Sequence, residues 1–179
     1  MTREVRKMQL RNAAVTAAAL AMIVPASASA RVSASDPAGM VAQLVKMGDK
    51  AELTRDDTGD PLINAQINGW KSSLVFYDCN AQHAKCQSFQ FVAIFDAPKG
   101  FDAAPLYAFP RVHRFAAVSL NSQGDPRISW DVITNNGIAD DVFGSAVSGF
   151  GTMLDAVGAI VFPKKPPVAV PDAAPGTNR

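Results

Sequence analysis

Three side chains that can bind a metal or form a covalent bond lie close together in the chain: Cys79, His83 and Cys86. The two cysteines are the only ones in the sequence. Thiolates and imidazoles are ligands of structural zinc, but such a site takes four ligands and no fourth is apparent here. In an oxidising compartment two cysteines more often form a disulfide. We therefore predict a Cys79–Cys86 disulfide and no metal site, with zinc binding as the alternative.

The other candidates for chemistry are weaker. His113 lies between Arg111 and Arg114, where it could bind an anion or act as a general base. No nucleophile motif accompanies it, so we predict a surface histidine. Asp131 follows Trp130 in a predicted strand, where successive side chains point to opposite faces. The carboxylate is therefore not expected in a pocket lined by the indole.

Asp56, Asp57 and Asp60 form an acidic cluster that could suggest calcium. The cluster lacks the alternating ligand spacing and the terminal glutamate of a calcium loop, so a solvated turn is the better interpretation. The sequence also contains no Gly-rich phosphate loop, nucleophile elbow or metalloprotease motif. We predict no catalytic residue and no cofactor.

The two cysteines bracket the loop of a predicted hairpin at residues 71–96. When Cys79 is placed opposite Cys86 in an antiparallel pair, Phe76 meets Phe89. Side chains alternate between faces with a period of two, so this register puts the cysteines on the face away from the core. The residues predicted on the core face are Leu74, Phe76, Phe89, Phe91, Ala93 and Phe95.

Residues 1–30 are predicted to be a signal peptide. A basic head at 1–11 precedes an apolar run at 13–26 that is too short to span a bilayer comfortably. The small residues 28–30 predict cleavage after Ala30, and residues 26–28 offer an alternative frame. The other interpretation is an uncleaved membrane anchor. We expect a periplasmic or secreted mature protein without stable membrane insertion.

The signal contains four of the 17 basic residues and one of the 16 acidic ones, so that the mature chain has 13 against 15 and a net charge of −2. This charge, with no stripe of Lys and Arg, argues against nucleic acid or an anionic membrane surface as a partner. The length after cleavage predicts one domain, at residues 31–162. Residues 163–179 are rich in proline and are predicted to be a disordered tail.

The pattern of apolar residues predicts an α+β fold. A short helix begins after the capping residue Asp36, and strands at 51–55 and 62–67 join the central hairpin in a four-stranded antiparallel meander. Short helical pieces are expected at 101–113, where two prolines prevent a long helix. A final amphipathic helix is predicted at 140–161.

A second hairpin is predicted from strands at 114–120 and 127–133. Pairing Leu120 with Arg127 would place Ala117 opposite Trp130, so that a small residue makes room for the indole. Phe115 would then face Val132. The complete prediction is an antiparallel sheet of about six strands packed against an N-terminal and a long C-terminal helix.

The final helix carries an unusual number of glycines on its less apolar face: Gly144, Gly149, Gly151 and Gly158. Each costs on the order of 1 kcal/mol relative to alanine in a helix interior. Close packing against the sheet is one explanation. The other is a small-residue surface for a partner, for which Gly149 and Gly151 are the candidates.

Several short motifs follow one another along the chain: Gly59-x-Pro61, Val75-Phe76-Tyr77-x-Cys79, the run from Cys86 to Phe91, Arg114-Phe115, Gly124-Asp125, Trp130-Asp131-Val132 and Asn136-Gly137-Ile138. These motifs and the order of the elements resemble the YbjN family, described as bacterial sensory transduction regulators. The resemblance covers about residues 40–161, and it implies a fold similar to type III secretion chaperones, a class that binds proteins. It brings no established catalytic residues. The chain departs from the family pattern at 107–110, where Tyr-Ala-Phe-Pro replaces an Asn-x-Trp-Asn helix.

Two functions of different classes are compatible with the sequence. The first is a non-enzymatic protein-binding or regulatory module of the bacterial cell envelope that uses its sheet or its final helix. The alternative is a small periplasmic hydrolase or ligand-binding protein with a pocket between the sheet and the C-terminal helix. A binding module needs an exposed apolar patch, whereas an enzyme needs polar groups that converge inside a concave site.

Overall fold

The computed structural model describes residues 31–163. The predicted signal peptide, its cleavage site and the predicted tail beyond residue 163 lie outside the described residues. The fold is α+β, as predicted. Its elements, in chain order, are β1 (Arg31–Val32), α1 (Pro37–Lys46), β2 (Lys50–Arg55), β3 (Pro61–Ile67), β4 (Trp70–Tyr77), β5 (Ser88–Ile94), α2 (Ala104–Ala108), a 3-10 turn (Phe109–Arg111), β6 (Ala117–Leu120), β7 (Pro126–Ile133), β8 (Ile138–Ala139) and α3 (Asp140–Val161).

Strands β2 to β7 form one antiparallel sheet in the order β2-β3-β4-β5-β7-β6. The predicted meander is therefore confirmed as β2 to β5, and the second hairpin joins it through β7. Strands β1 and β8 pair separately, with Arg31 opposite Ala139. The sequence did not predict this small sheet, because two residues are too few to show an alternating pattern.

The predicted register of the central hairpin is confirmed. Phe76 lies opposite Phe89, and the six residues predicted on the core face are all buried. The position predicted for the cysteines is wrong for Cys86, which is buried in the core. The strand ladder ends at the pair of Tyr77 and Ser88, and Asp78 has a positive φ of 55°. The chain turns there, so the alternation of faces does not extend to the cysteines.

The predicted register of the second hairpin is wrong by one residue, because Leu120 lies opposite Pro126 and not Arg127. The connecting turn sets this register. The Asn121 backbone N–H donates to the Asp125 carbonyl at 2.9 Å. The Asn121 side chain also accepts the Asp125 N–H at 2.8 Å. These contacts make Asn121 and Asp125 opposite neighbours, which leaves Pro126 as the first residue of the returning strand.

The start of β6 also differs from the prediction. The strand begins at Ala117, and Phe115 has a φ of 70°, which is uncommon for a bulky residue. Phe115 does not face Val132. Its ring instead stacks on Trp130, with a centroid distance of 5.1 Å. Ala117 is paired with Ser129.

Helix α3 covers the core face of the sheet. The Phe150 ring stacks on Phe91 at 5.0 Å, and Phe143 lies edge-on to Phe89 at 6.1 Å. By length and composition alone α3 could cross a membrane, but its apolar side forms the core of this domain. At the helix surface Asp155 accepts hydrogen bonds from the Trp70 indole, at 2.8 Å, and from the side chain of Asn68 in the β3–β4 turn.

The glycines of α3 face other parts of the domain. A Cβ atom added at Gly149 would lie 3.1 Å from the Trp130 ring, and one at Gly158 would overlap Trp70. Gly151 is buried, and its Cβ would lie 3.2 Å from Asn68. Contacts within the fold therefore explain these glycines without a partner. The partner surface at Gly149 and Gly151 stays a prediction.

The opposite face of the large sheet carries no helix within residues 31–163. We call it the open face. Of its side chains only Ser129 is buried, and the rest are half-buried or exposed. By the strand registers the open face consists of Lys50, Glu52, Thr54, Leu62, Asn64, Gln66, Lys71, Ser73, Val75, Tyr77, Ser88, Gln90, Val92, Ile94, Ala117, Ser119, Arg127, Ser129, Asp131 and Ile133.

Candidate functional site

The structure contains the Cys79–Cys86 disulfide, with the two Cα atoms 3.8 Å apart. Both thiols are therefore used, and the three side chains considered as zinc ligands do not form a metal site. His83 instead contacts Asp60, with Nδ1 and Oδ1 2.8 Å apart. In the part of the chain that the structure describes, no group of three or more His, Cys, Asp or Glu side chains is placed to hold a metal ion.

The acidic cluster forms a turn, as predicted. Asp56 Oδ1 accepts hydrogen bonds from the Thr58 hydroxyl at 2.7 Å and from the Asp60 N–H at 2.9 Å. The Thr58 side chain and the backbone N–H groups lower the pKa of Asp56, because each hydrogen bond favours the carboxylate. Asp60 then holds His83, so that the disulfide loop is tied to the β2–β3 turn.

A cavity of about 250 Å³ lies beside the disulfide loop, and its lining includes Ser35, Arg55 and His83. This is the arrangement closest to a catalytic site, since a carboxylate orients a histidine next to a hydroxyl. The Ser35 hydroxyl, however, pairs with the Ser33 hydroxyl at 2.8 Å, and no hydrogen bond joins it to His83. The residues present do not make a nucleophile and base pair.

A second cavity, of about 470 Å³, lies between the segment 98–105 and the end of α3. Its lining is mainly apolar, and Lys99 and Asp102 are its ionisable residues. Both side chains are exposed. The interface between the sheet and α3, where the alternative function places its pocket, is instead filled by side chains of the core.

The centre of the open face holds a chain of polar contacts. Arg127 Nη2 donates to Gln90 Oε1 at 2.6 Å, and Gln90 Nε2 donates to Asp131 Oδ1 at 2.9 Å. Arg127 Nη1 also donates to the buried Ser129 hydroxyl at 3.2 Å. Asp131 points to the face opposite Trp130, in agreement with the prediction from strand alternation. These contacts join β5 to β7 and orient three polar side chains toward the surface.

Large apolar side chains flank this polar centre. Tyr77 is 43% exposed, Ile94 53% and Ile133 70%. Val75 and Val92 lie between them and are half-buried. The sequence named the sheet as one possible binding surface but did not identify these residues as the site. The only signal was apolar residues at the strand positions between those of the core face.

The remaining sequence candidates do not form a catalytic site. His113 is half-buried and stacks on Phe109, with a centroid distance of 3.9 Å. Arg111 is exposed, and the Arg114 guanidinium lies 4.8 Å from the centroid of the Phe115 ring. The structure thus places His113 against an aromatic ring, and no nucleophilic side chain within residues 31–163 is hydrogen-bonded to it.

A protein-family model described as "YbjN: Putative bacterial sensory transduction regulator" matches residues 37–159. The chain belongs to the YbjN family. The match begins at the first residue of α1 and ends within α3, so it includes the whole large sheet and the helix that covers its core face. No curated protein matches the chain. The YbjN description is that of a regulator, and the family is not a known enzyme family.

Proposed function

We propose that this chain is an exported, non-enzymatic YbjN protein of the bacterial cell envelope that binds another protein at the open face of its sheet. The observation that carries the proposal is the exposure of Tyr77, Ile94 and Ile133 on a face that no helix covers in the described region. The regulatory description of the family agrees with a binding role.

The composition of the open face suits a protein partner. Soluble domains seldom leave large apolar side chains grouped at the surface unless the group has a role in binding. The polar centre made by Gln90, Arg127 and Asp131 would supply directional hydrogen bonds within an apolar surrounding. Gln90 and Arg127 already hold each other in place, so that less side-chain entropy is lost on binding.

The open face is a better binding surface than the glycine side of α3. The space beside Gly149, Gly151 and Gly158 is already filled by side chains from β3, β4, β7 and the β3–β4 turn. A partner could approach them only after these contacts separate. The open face requires no such rearrangement.

Export is supported by the disulfide and by the sequence of residues 1–30. A disulfide persists in oxidising compartments and is rare in the cytosol. Intact-mass analysis of protein recovered from the exported fraction should give a chain that begins at Arg31. Recovery of the full-length chain from the membrane fraction would contradict both the cleavage and the location.

The binding proposal is tested with the exported protein as bait in periplasmic extract. Each captured protein is identified, purified and titrated against the bait. Ile94→Ser/Ile133→Ser should weaken binding about tenfold or more, because buried apolar contacts at an interface often contribute over 1 kcal/mol each.

The matched control is Val45→Ser/Val142→Ser, which changes two side chains of similar exposure, 54% and 53%, on α1 and α3. It should bind like the parent, and both variants should keep the parent's melting temperature within a few degrees. Equal affinities for the two double variants would remove the open face as the binding surface. Loss of binding in the control alone would assign it to the helical side.

A further inference from the structure

We propose that the segment from Tyr107 to Phe115, here called the basic aromatic segment, is a peripheral contact for an anionic phospholipid surface. This contact is separate from the proposed protein-binding face, because the segment lies on the helical side of the sheet: Phe109 is buried in the core, and Phe115 stacks on Trp130, whose ring faces Gly149 of α3. It would hold the domain at a membrane surface while leaving the open face accessible.

The first observation is exposure. Val112 is 79% exposed, Tyr107 72% and Phe115 64%. Val112 and Tyr107 are the two most exposed large apolar side chains in residues 31–163. Phe109 within the segment and Leu106 just before it are buried in the core. The segment is thus anchored by two side chains that point inward, while its other apolar side chains point to solvent.

The second observation is charge. Arg111 and Arg114 are exposed, and neither makes an ion pair within the described residues. Residues 103–124 contain no acidic side chain at all. Residues 31–163 as a whole carry 10 basic and 14 acidic side chains, so the positive charge of this segment contrasts with an acidic domain. Such an asymmetry orients the domain toward a negative surface.

The third observation is the fixed conformation of the segment. Phe115 has a φ of 70°, and its ring is held between Trp130, at 5.1 Å, and the Arg114 guanidinium, at 4.8 Å. His113 stacks on the buried Phe109 ring. Aromatic and cationic groups are therefore presented together at the surface, the combination that favours the headgroup region of a bilayer.

A lipid surface fits these side chains better than an acidic peptide does. Tyr107, Val112 and Phe115 line neither of the two cavities described above. A peptide usually binds in a groove that buries its anchor side chains. Exposed apolar tips flanked by arginines can instead enter the boundary between headgroups and acyl chains. The net charge of −2 argued against an anionic surface, but it is summed over the whole mature chain. The segment itself contains two arginines and no acidic residue.

The test measures cosedimentation of the exported protein with vesicles of phosphatidylcholine alone or with about 30% phosphatidylglycerol. The parent should bind the anionic vesicles preferentially, and binding should fall as ionic strength rises. Arg111→Gln/Arg114→Gln should bind about 30-fold more weakly, because each basic side chain near an anionic surface contributes about fivefold. Tyr107→Ser/Val112→Ser should also weaken binding while keeping its dependence on salt.

The matched control is Lys46→Gln/Lys85→Gln, which removes two exposed positive charges outside both the segment and the open face and should bind like the parent. Thermal melting shows whether each variant is folded. Equal binding to neutral and anionic vesicles, or equal loss in the arginine and lysine variants, would overturn the proposal. So would binding of a polyglutamate peptide without vesicle binding, which would assign the segment to an acidic protein partner. None of these outcomes depends on the open-face variants.

Discussion

The two faces of the large sheet are built from neighbouring residues but have opposite properties. Along β5, Phe89, Phe91 and Ala93 are buried against the helices, whereas Val92 is half-buried and Ile94 is 53% exposed on the open face. Strand alternation alone separates the two sets. The core face therefore supplies most of the stability, while the open face can carry binding residues whose substitution leaves the fold intact.

The kinds of contact differ in the same way. On the core face the Phe91 ring packs against Phe89 and Phe150, each at a centroid distance of 5.0 Å. On the open face the central contacts are hydrogen bonds among Gln90, Arg127 and Asp131. Apolar packing is sensitive to lost volume, whereas exposed polar contacts contribute little net stability because water can replace them.

The largest expected effect comes from Phe91→Ala, which should lower the free energy of unfolding by about 3–5 kcal/mol because it leaves a cavity among aromatic rings. The adjacent open-face change Val92→Ala should cost about 1 kcal/mol or less, because Val92 is only half-buried. Urea unfolding measures both. Similar losses for the two variants would contradict the separation of roles between the faces.

An intermediate effect is expected from Cys79→Ser/Cys86→Ser. The disulfide closes a loop of about eight residues beyond the β4–β5 pair, and the chain-entropy estimate for its loss is about 2.5 kcal/mol. The domain should stay folded, because its core lies on the helical side of the sheet. Thiol titration of the unfolded, unreduced parent should find no free thiol. Two free thiols together with stabilisation by zinc would restore the metal interpretation of Cys79, His83 and Cys86.

The smallest effect on average is expected from a pair of glycine substitutions that probe how α3 rests on the core face. Gly158→Ala should destabilise the domain by about 1–3 kcal/mol, because the new methyl group would overlap the Trp70 ring. At Gly144 the nearest atom to an added Cβ would be Met47 Cε at 3.8 Å, an ordinary contact. Gly144→Ala should therefore be neutral or stabilise by up to about 1 kcal/mol. Thermal melts that rank the pair in the reverse order would show that the helix lies differently on the sheet.

Much of this fold was predictable from the sequence because its signals are local. The alternation in β4 and β5 predicted both the register and the core face, and the period of α3 predicted a helix with the observed bounds. The disulfide was predictable from there being two cysteines beside that hairpin. The open face was not recognised as a site, because half-buried and exposed apolar residues have the same sequence pattern until the covering elements are known.

The sequence by itself determined the α+β class, the central hairpin, the pairing of Cys79 with Cys86 and the resemblance to the YbjN family. Only the tertiary structure decided which face stays uncovered within residues 31–163, that Cys86 is buried, and that Gly158 and Gly149 make room for Trp70 and Trp130. The reason is the range of the forces involved. Periodicity acts between near neighbours in the chain, whereas burial depends on which distant element packs against each surface.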